Sequence, residues 1–131
     1  MKIKRLLCVD DDKITLTLIK LVVEKTFFAQ EISTRMNGKE ALEFYHDLLH
    51  HNTADQAPEL IFLDLNMPIM NGWDFLDEFS NRYYHIFPNT RVVILSSSTD
   101  QAERDRARKY PMIIDYVTKP LTMASLSNLN L

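Results

Sequence analysis

Leu60-Ile61-Phe62-Leu63-Asp64-Leu65, followed by Asn66-Met67-Pro68 and then Asn71-Gly72, decides how this chain folds. The run is apolar apart from Asp64 and shows no polar alternation, which marks a strand buried on both faces. A carboxylate inside such a run is costly unless it stands at the strand end or has a partner. Asp64 is therefore expected at the C-terminal end of a buried strand, with the proline and Asn-Gly signals punctuating the loop that follows.

Working outward, Ile3 to Val9 reads as a first strand that runs into Asp10-Asp11-Asp12. Ile14, Leu18, Leu21, Val22 and Lys25 then follow helical spacing, with Ile19 and Val23 widening the apolar face. Glu31 to Met36 is a short second strand, and Asn37-Gly38 turns into a helix over Lys39 to His51 carrying Ala41, Leu42, Tyr45, Leu48 and Leu49. Residues 52–59 form a polar loop containing Pro58. Beyond the central run, Trp73, Phe75, Leu76 and Phe79 mark a third helix that ends before Pro88. Arg91 to Leu95 is a fourth strand, and Ser96 to Thr99 a hydroxyl-rich loop. Asp100 is the expected N-cap of a helix from Gln101 to Tyr110. Ile113 to Val117 is the fifth strand, closed by Lys119-Pro120, and Leu121 to Leu131 holds a short last helix.

Five strands alternating with helices imply an α/β fold, a parallel sheet covered on both faces, because crossover helices enforce that arrangement. Ligands of such sheets sit beyond the strand C-termini. Asp10 to Asp12, Asp64, Ser96 and Lys119 all end or follow strands, so the pattern directs them to one edge. Composition agrees with a single domain: 131 residues, 46% hydrophobic and 25% charged. A formal net charge of −3 gives no basic excess for nucleic acid or an anionic membrane. Cys8, the one cysteine, lies in an apolar run and reads as a small hydrophobe in a reducing compartment. The apolar stretch after Lys2, Lys4 and Arg5 is too short for a signal peptide or a span, so the cytoplasm is the expected location.

Gathering carboxylates needs compensation, since two charges roughly 4 Å apart repel by about 4 kcal/mol at an effective dielectric of about 20. A hard divalent cation supplies it, and Mg2+ suits a site of few carboxylates that leaves room for phosphate oxygens. Lys119 adds a fixed positive charge on the other side. Taken singly, the aspartates read as a polar turn, Ser96 as a loop serine and Lys119 as a surface lysine; their convergence reverses this. His46 and His50, four apart, lack a third zinc ligand. The run Arg104, Asp105, Arg106, Arg108, Lys109 is interleaved with acids and reads as a solvated face. Trp73, Phe75, Tyr83, Tyr84 and Phe87 are expected mostly in the core.

Val9-Asp10-Asp11, Asp64-Leu65-Asn66-Met67-Pro68 with Asn71-Gly72, Ser96, and Lys119-Pro120 together resemble the CheY-like receiver domain of two-component response regulators. The likeness covers nearly the whole chain. It implies a doubly wound, flavodoxin-like fold of five parallel strands in the order 2-1-3-4-5, flanked by helices. It implies that Asp64 accepts a phosphoryl group from a sensor histidine kinase or phosphotransfer protein. Asp10, Asp11 and Asp64, with the backbone carbonyl of Asn66, would hold Mg2+. Ser96 and Lys119 would bind phosphoryl oxygens, and Tyr116 matches the aromatic switch that remodels the surface of the fourth helix, fifth strand and fifth helix. The resemblance also favours a cis Lys119-Pro120 bond, although trans is the commoner isomer of such bonds. Asp12 falls outside the metal set and suits a helix cap. Residues 1–131 would be one receiver domain without an output domain. It would be a signalling module taking part in its own phosphorylation and dephosphorylation, not an enzyme, and would act on a protein target.

Two other readings compete. Asp10-Asp11-Asp12, Ser96 and Lys119 also follow the motif order of the haloacid dehalogenase phosphohydrolases, but residues 120–131 lack the acid that family needs beyond its lysine, and Asp64 is left unexplained. A degenerate receiver used only for docking is disfavoured because every required side chain is present. Two features depart from the receiver pattern: Tyr110-Pro111-Met112 replaces small residues before the fifth strand, and the last helix is short.

Overall fold

Apolar residues alternate between the two faces of each central strand and thereby divide the core in two. The computed structural model describes residues 2–129 and 131. Its elements run β1 (Ile3–Val9), α1 (Lys13–Thr26), β2 (Ala29–Arg35), α2 (Gly38–His50), β3 (Leu60–Leu63), α3 (Gly72–Arg82), β4 (Arg91–Ser96), α4 (Gln101–Ala107), β5 (Ile113–Thr118) and α5 (Met123–Ser127), with a 3-10 turn at Ala54–Gln56. The strands form one parallel sheet in the order β2-β1-β3-β4-β5, as the receiver resemblance implied. Leu7, Val9, Ile61, Leu63, Val92 and Ile94 face α2, α3 and α4. Leu6, Cys8, Leu60, Phe62, Val93 and Leu95 face α1 and α5. Burying a single side chain of this size contributes roughly 1.5–3 kcal/mol, so the doubly covered strands are the rigid part of the molecule.

Several boundaries differ from the sequence reading. β3 stops at Leu63, and Asp64 is the first residue beyond it, because the chain then bends so that the Gly72 N–H takes the Leu65 carbonyl at 3.0 Å. Ser96 is the last residue of β4, in register with Thr118 of β5, and is fully buried; it is not a loop serine. β2 begins two residues early, at Ala29, and ends at Arg35. α4 ends at Ala107 because Pro111 disfavours helix at Tyr110. The last helix covers only Met123–Ser127, where Thr122 and Ser125 form a capping box; Asn130, inside the segment expected to hold it, lies outside the described residues.

α1 docks on the sheet through only one of its two apolar stripes. Its helical period is as read, but Ile14, Leu18 and Leu21 are exposed while Leu16, Ile19 and Val23 are buried. This helix carries two apolar stripes, and spacing alone cannot tell which one meets the sheet. Asp12 caps α1, accepting from the Ile14 N–H at 2.9 Å. Asp100 caps α4, accepting from Ala102 at 3.0 Å. Phe75, Tyr83 and Phe87 are buried, whereas Trp73 and Tyr84 are half-buried. The bulky segment before β5 fastens the α4–β5 turn to α3: Met112 is buried, the Tyr110 ring stacks on Trp73 at 5.8 Å, and its hydroxyl donates to Asp77 at 2.7 Å.

Candidate functional site

Three backbone amides just past the strand ends continue the sheet's ladder and hold the acidic and basic side chains in place. The Asp10 N–H donates to the Arg35 carbonyl at 3.1 Å, that of Asp64 to Val9 at 2.9 Å, and that of Lys119 to Ser96 at 2.8 Å. The Lys119-Pro120 bond is cis. Gly72 opens α3 so close to this edge that a Cβ there would lie 2.5 Å from the Asp64 carbonyl oxygen. In the loop between them, Ile69 adopts a left-handed φ of 70° with its side chain exposed, a strained conformation for a β-branched residue.

The side chains converge at that edge. Asp10 and Asp64 are buried, with 2% and 6% exposure, and Asp11 is exposed. Lys119 Nζ donates to Asp10 Oδ2 at 2.7 Å and lies 3.4 Å from Asp64 Oδ1. Asp10, Asp11 and Asp64 each present a carboxylate oxygen within 4.8 Å of the others'. That is the spacing at which a hard divalent cation, reaching oxygen ligands on opposite sides, spans about 4–5 Å, so the set fits such an ion. Asp12 turns away to cap α1, though its N–H donates to Asp10 Oδ1 at 2.9 Å. His46 and His50 stack with ring centroids 6.1 Å apart and gather no third ligand among the described residues.

Burial and then the Asp10 charge raise the Asp64 pKa, against the lowering influence of Lys119 and the backbone hydrogen bond from Asn66. Burial disfavours the Lys119 cation, but the hydrogen bond to Asp10 and the charges of Asp64 and Asp10 outweigh it and raise the Lys119 pKa. Burial pushes the Cys8 thiol up to about 12, so it is an inert core residue, as its sequence context indicated.

An acid with a raised folded-state pKa is no burden below its unfolded value and destabilises the fold once pH passes the folded value. Asp64→Asn, measured without metal at neutral pH, is expected to raise Tm by a few degrees. The gain should shrink as the medium is acidified and Asp64 takes up its proton. Thermal melts at neutral and acid pH check both points.

Ser96 and Tyr116 are joined by a residue that the sequence reading left among the charges of a solvated face. Ser96 Oγ donates to Glu103 Oε1 at 2.8 Å and accepts from the Ser98 N–H at 3.1 Å. The Tyr116 hydroxyl meets the same Glu103 oxygen and lies 3.1 Å from the Ser98 carbonyl. Burial, then the hydrogen bond to Glu103, raise the Tyr116 pKa. The Arg104 guanidinium covers the ring at 4.4 Å. Asn66 is exposed two residues beyond Asp64.

No described helix is long and apolar enough to cross a membrane. The chain is 30% identical over 117 residues to the chemotaxis protein CheY of Thermotoga maritima, covering 89% of this chain and 86% of that one. It is 31% identical to a protein-glutamate methylesterase/protein-glutamine glutaminase of Geobacillus kaustophilus over 96% of its own length, but spans only 33% of that protein. A two-component response regulator from Cytophaga hutchinsonii superposes with a TM-score of 0.86 at 32% identity, covering 98% of this chain and 94% of that one. The phosphorylated cyanobacterial phytochrome response regulator RcpA matches with a TM-score of 0.72 at 26% identity, over 94% of this chain and 85% of that one. The Mn(2+)-bound form of response regulator Rcp1 matches with a TM-score of 0.75 at 25% identity, over 94% and 86%. The family description "Response regulator receiver domain" fits residues 6–129, from within β1 to beyond α5, and the chain belongs to that family.

Proposed function

We propose that Asp64 is the phosphoryl acceptor of this receiver and that Asp10, Asp11, Asp64 and the Asn66 carbonyl hold Mg2+ beside it. The observation that carries this reading is the single lysine shared by two buried acids: Lys119 Nζ at 2.7 Å from Asp10 and 3.4 Å from Asp64. One cation cannot balance two buried carboxylates and the nearby Asp11, so the pocket calls for further positive charge. Mg2+ would supply charge neutralisation for the carboxylates and for an incoming phosphoryl group. The acidic cluster fits the phosphorylation site of the receiver family, and the phosphorylated and Mn(2+)-bound neighbours support both halves of the proposal.

In this mechanism an Asp64 carboxylate oxygen forms a bond to phosphorus while the donor's P–N or P–O bond breaks, its electron pair leaving with the donor. The nucleophile is already ionised, so no general base is required. Lys119 pairs with one phosphoryl oxygen and the Ser96 hydroxyl donates to another, so both act where charge is spread in transfer. Hydrolysis of the resulting acyl phosphate by water in the same pocket resets the domain. Tyr116, next to Ser96, transmits the change to the surface of α4, β5 and α5. The phosphoryl donors are a sensor histidine kinase or a phosphotransfer protein, and the output is a protein target. Residues 6–129 act as a receiver in the cytoplasm, where Cys8 stays reduced.

Incubation with Mg2+ and acetyl phosphate is expected to add one phosphoryl group by intact mass spectrometry, with no addition to Asp64→Asn. An adduct unchanged in that variant, or none in the parent protein, overturns the proposal. The phosphohydrolase reading makes the opposite forecast, sustained turnover of a generic phosphate ester dependent on Asp10.

A further inference from the structure

Ser96 has one hydroxyl proton, and here it is already committed. Its Oγ donates to Glu103 Oε1 at 2.8 Å, and its acceptor capacity is engaged by the Ser98 N–H at 3.1 Å. The same Glu103 oxygen receives the Tyr116 hydroxyl, which also lies 3.1 Å from the Ser98 carbonyl. Glu103 sits in the first turn of α4 and is half-buried. The next residue, Arg104, lays its guanidinium over the Tyr116 ring at 4.4 Å and donates to Thr118 Oγ1 at 3.2 Å. One turn of α4 thus grips β4 through Ser96 and β5 through Tyr116 and Thr118.

A hydroxyl cannot donate its single proton to two acceptors at full strength. We infer that Glu103 is a positioning residue that competes with the phosphoryl group for the Ser96 proton, so that phosphorylation must detach Ser96 from α4 before the hydroxyl can serve the site. This rests on the reading of Ser96 as a phosphoryl ligand. A phosphoryl group carrying close to two negative charges is the stronger acceptor. Redirecting this hydrogen bond leaves Glu103 bonded to Tyr116 and loosens α4 on the sheet. The coupling works in both directions: whatever holds Glu103 in place weakens phosphoryl binding, and whatever draws it away strengthens binding.

The experiment is binding of beryllofluoride, a phosphoryl mimic, in the presence of Mg2+, to the parent protein, Asp64→Asn, Glu103→Ala, Glu103→Gln, Ser96→Ala and the double variant Ser96→Ala/Glu103→Ala. Trp73 is the one tryptophan and lies under Arg106 of α4 at 4.2 Å, so its fluorescence reports both occupancy and movement of that helix. Losing a hydrogen bond to a charged acceptor is worth about tenfold or more in affinity. Glu103→Ala is expected to tighten beryllofluoride binding about tenfold, Glu103→Gln by less because an acceptor oxygen without full charge remains. The gain should vanish when Ser96 is alanine, a dependence that a merely structural role for Glu103 would not show. Equal affinity in the parent and Glu103→Ala, or the same gain with and without Ser96, overturns the inference while leaving the acceptor reading intact. Absence of Asp64-dependent binding in the parent protein overturns both.

Discussion

Lys119→Ala is expected to slow phosphorylation by acetyl phosphate at least a hundredfold, the loss typical when one preorganised charge-stabilising donor is removed from a transition state. Lys119 is well placed for so large an effect. Its Nζ is drawn into the pocket by Asp10 at 2.7 Å, and its N–H is bonded to the Ser96 carbonyl at 2.8 Å, so little reorganisation is needed when a phosphoryl oxygen arrives. The substitution also leaves Asp10 and Asp64 buried without their cation, which destabilises the metal-free protein at neutral pH. Mg2+ should therefore restore most of the lost thermal stability of Lys119→Ala but not its phosphorylation rate. Melting curves with and without Mg2+, beside the rate of adduct formation, separate the two roles. A variant whose rate recovers along with its Tm would show that Lys119 serves only to balance charge.

Gly72→Ala is expected to have the second large effect, although the change adds one methyl group and removes no polar atom. A Cβ at this position would stand 2.5 Å from the Asp64 carbonyl oxygen and 2.9 Å from the Leu65 Cα. These are backbone atoms, anchored by the Asp64–Val9 and Gly72–Leu65 hydrogen bonds at 2.9 and 3.0 Å, and they cannot swing aside as a side-chain end would. Overpacking of this kind costs about 1–3 kcal/mol. It also displaces Asp64, the proposed acceptor, and misplacement by about 1 Å can lower a rate by about a hundredfold. Chemical denaturation together with the rate of adduct formation tests this. Normal rate and stability would mean that the start of α3 can move away from the sheet edge without disturbing Asp64.

Much of the fold was legible because the strands carry a signal that survives without tertiary information. β1 was read at Ile3 to Val9 and is found there, bounded by charge on both sides. Asp10, Asp64 and Lys119 were legible for the same reason: each breaks or closes an apolar run, and the C-terminal edge of a parallel sheet gathers such residues. The α1 face was not legible, because the stripe of Ile14, Leu18 and Leu21 and the stripe of Leu16, Ile19 and Val23 are equally apolar, and only the docked sheet distinguishes them. Ser96 was placed one residue too far out because a hydroxyl-rich segment resembles a loop, whereas β4 keeps its pairing with Thr118 through that serine. Glu103 was read as part of a solvated helix face, whereas it is half-buried and turned inward. In a short helix alternating acids and bases, nothing local marks the one carboxylate that turns inward toward a serine seven residues before it and a tyrosine thirteen residues after it.

The central claim is that Asp64, and no other acid at this edge, takes the phosphoryl group. Borohydride reduces an aspartyl acyl phosphate to homoserine, and peptide mass spectrometry locates the conversion. After treatment with Mg2+ and acetyl phosphate, the conversion is expected in the peptide containing Leu63, at the position of Asp64. Conversion at Asp10, Asp11 or Asp12 instead would contradict the account and return the acidic run to the role of nucleophile.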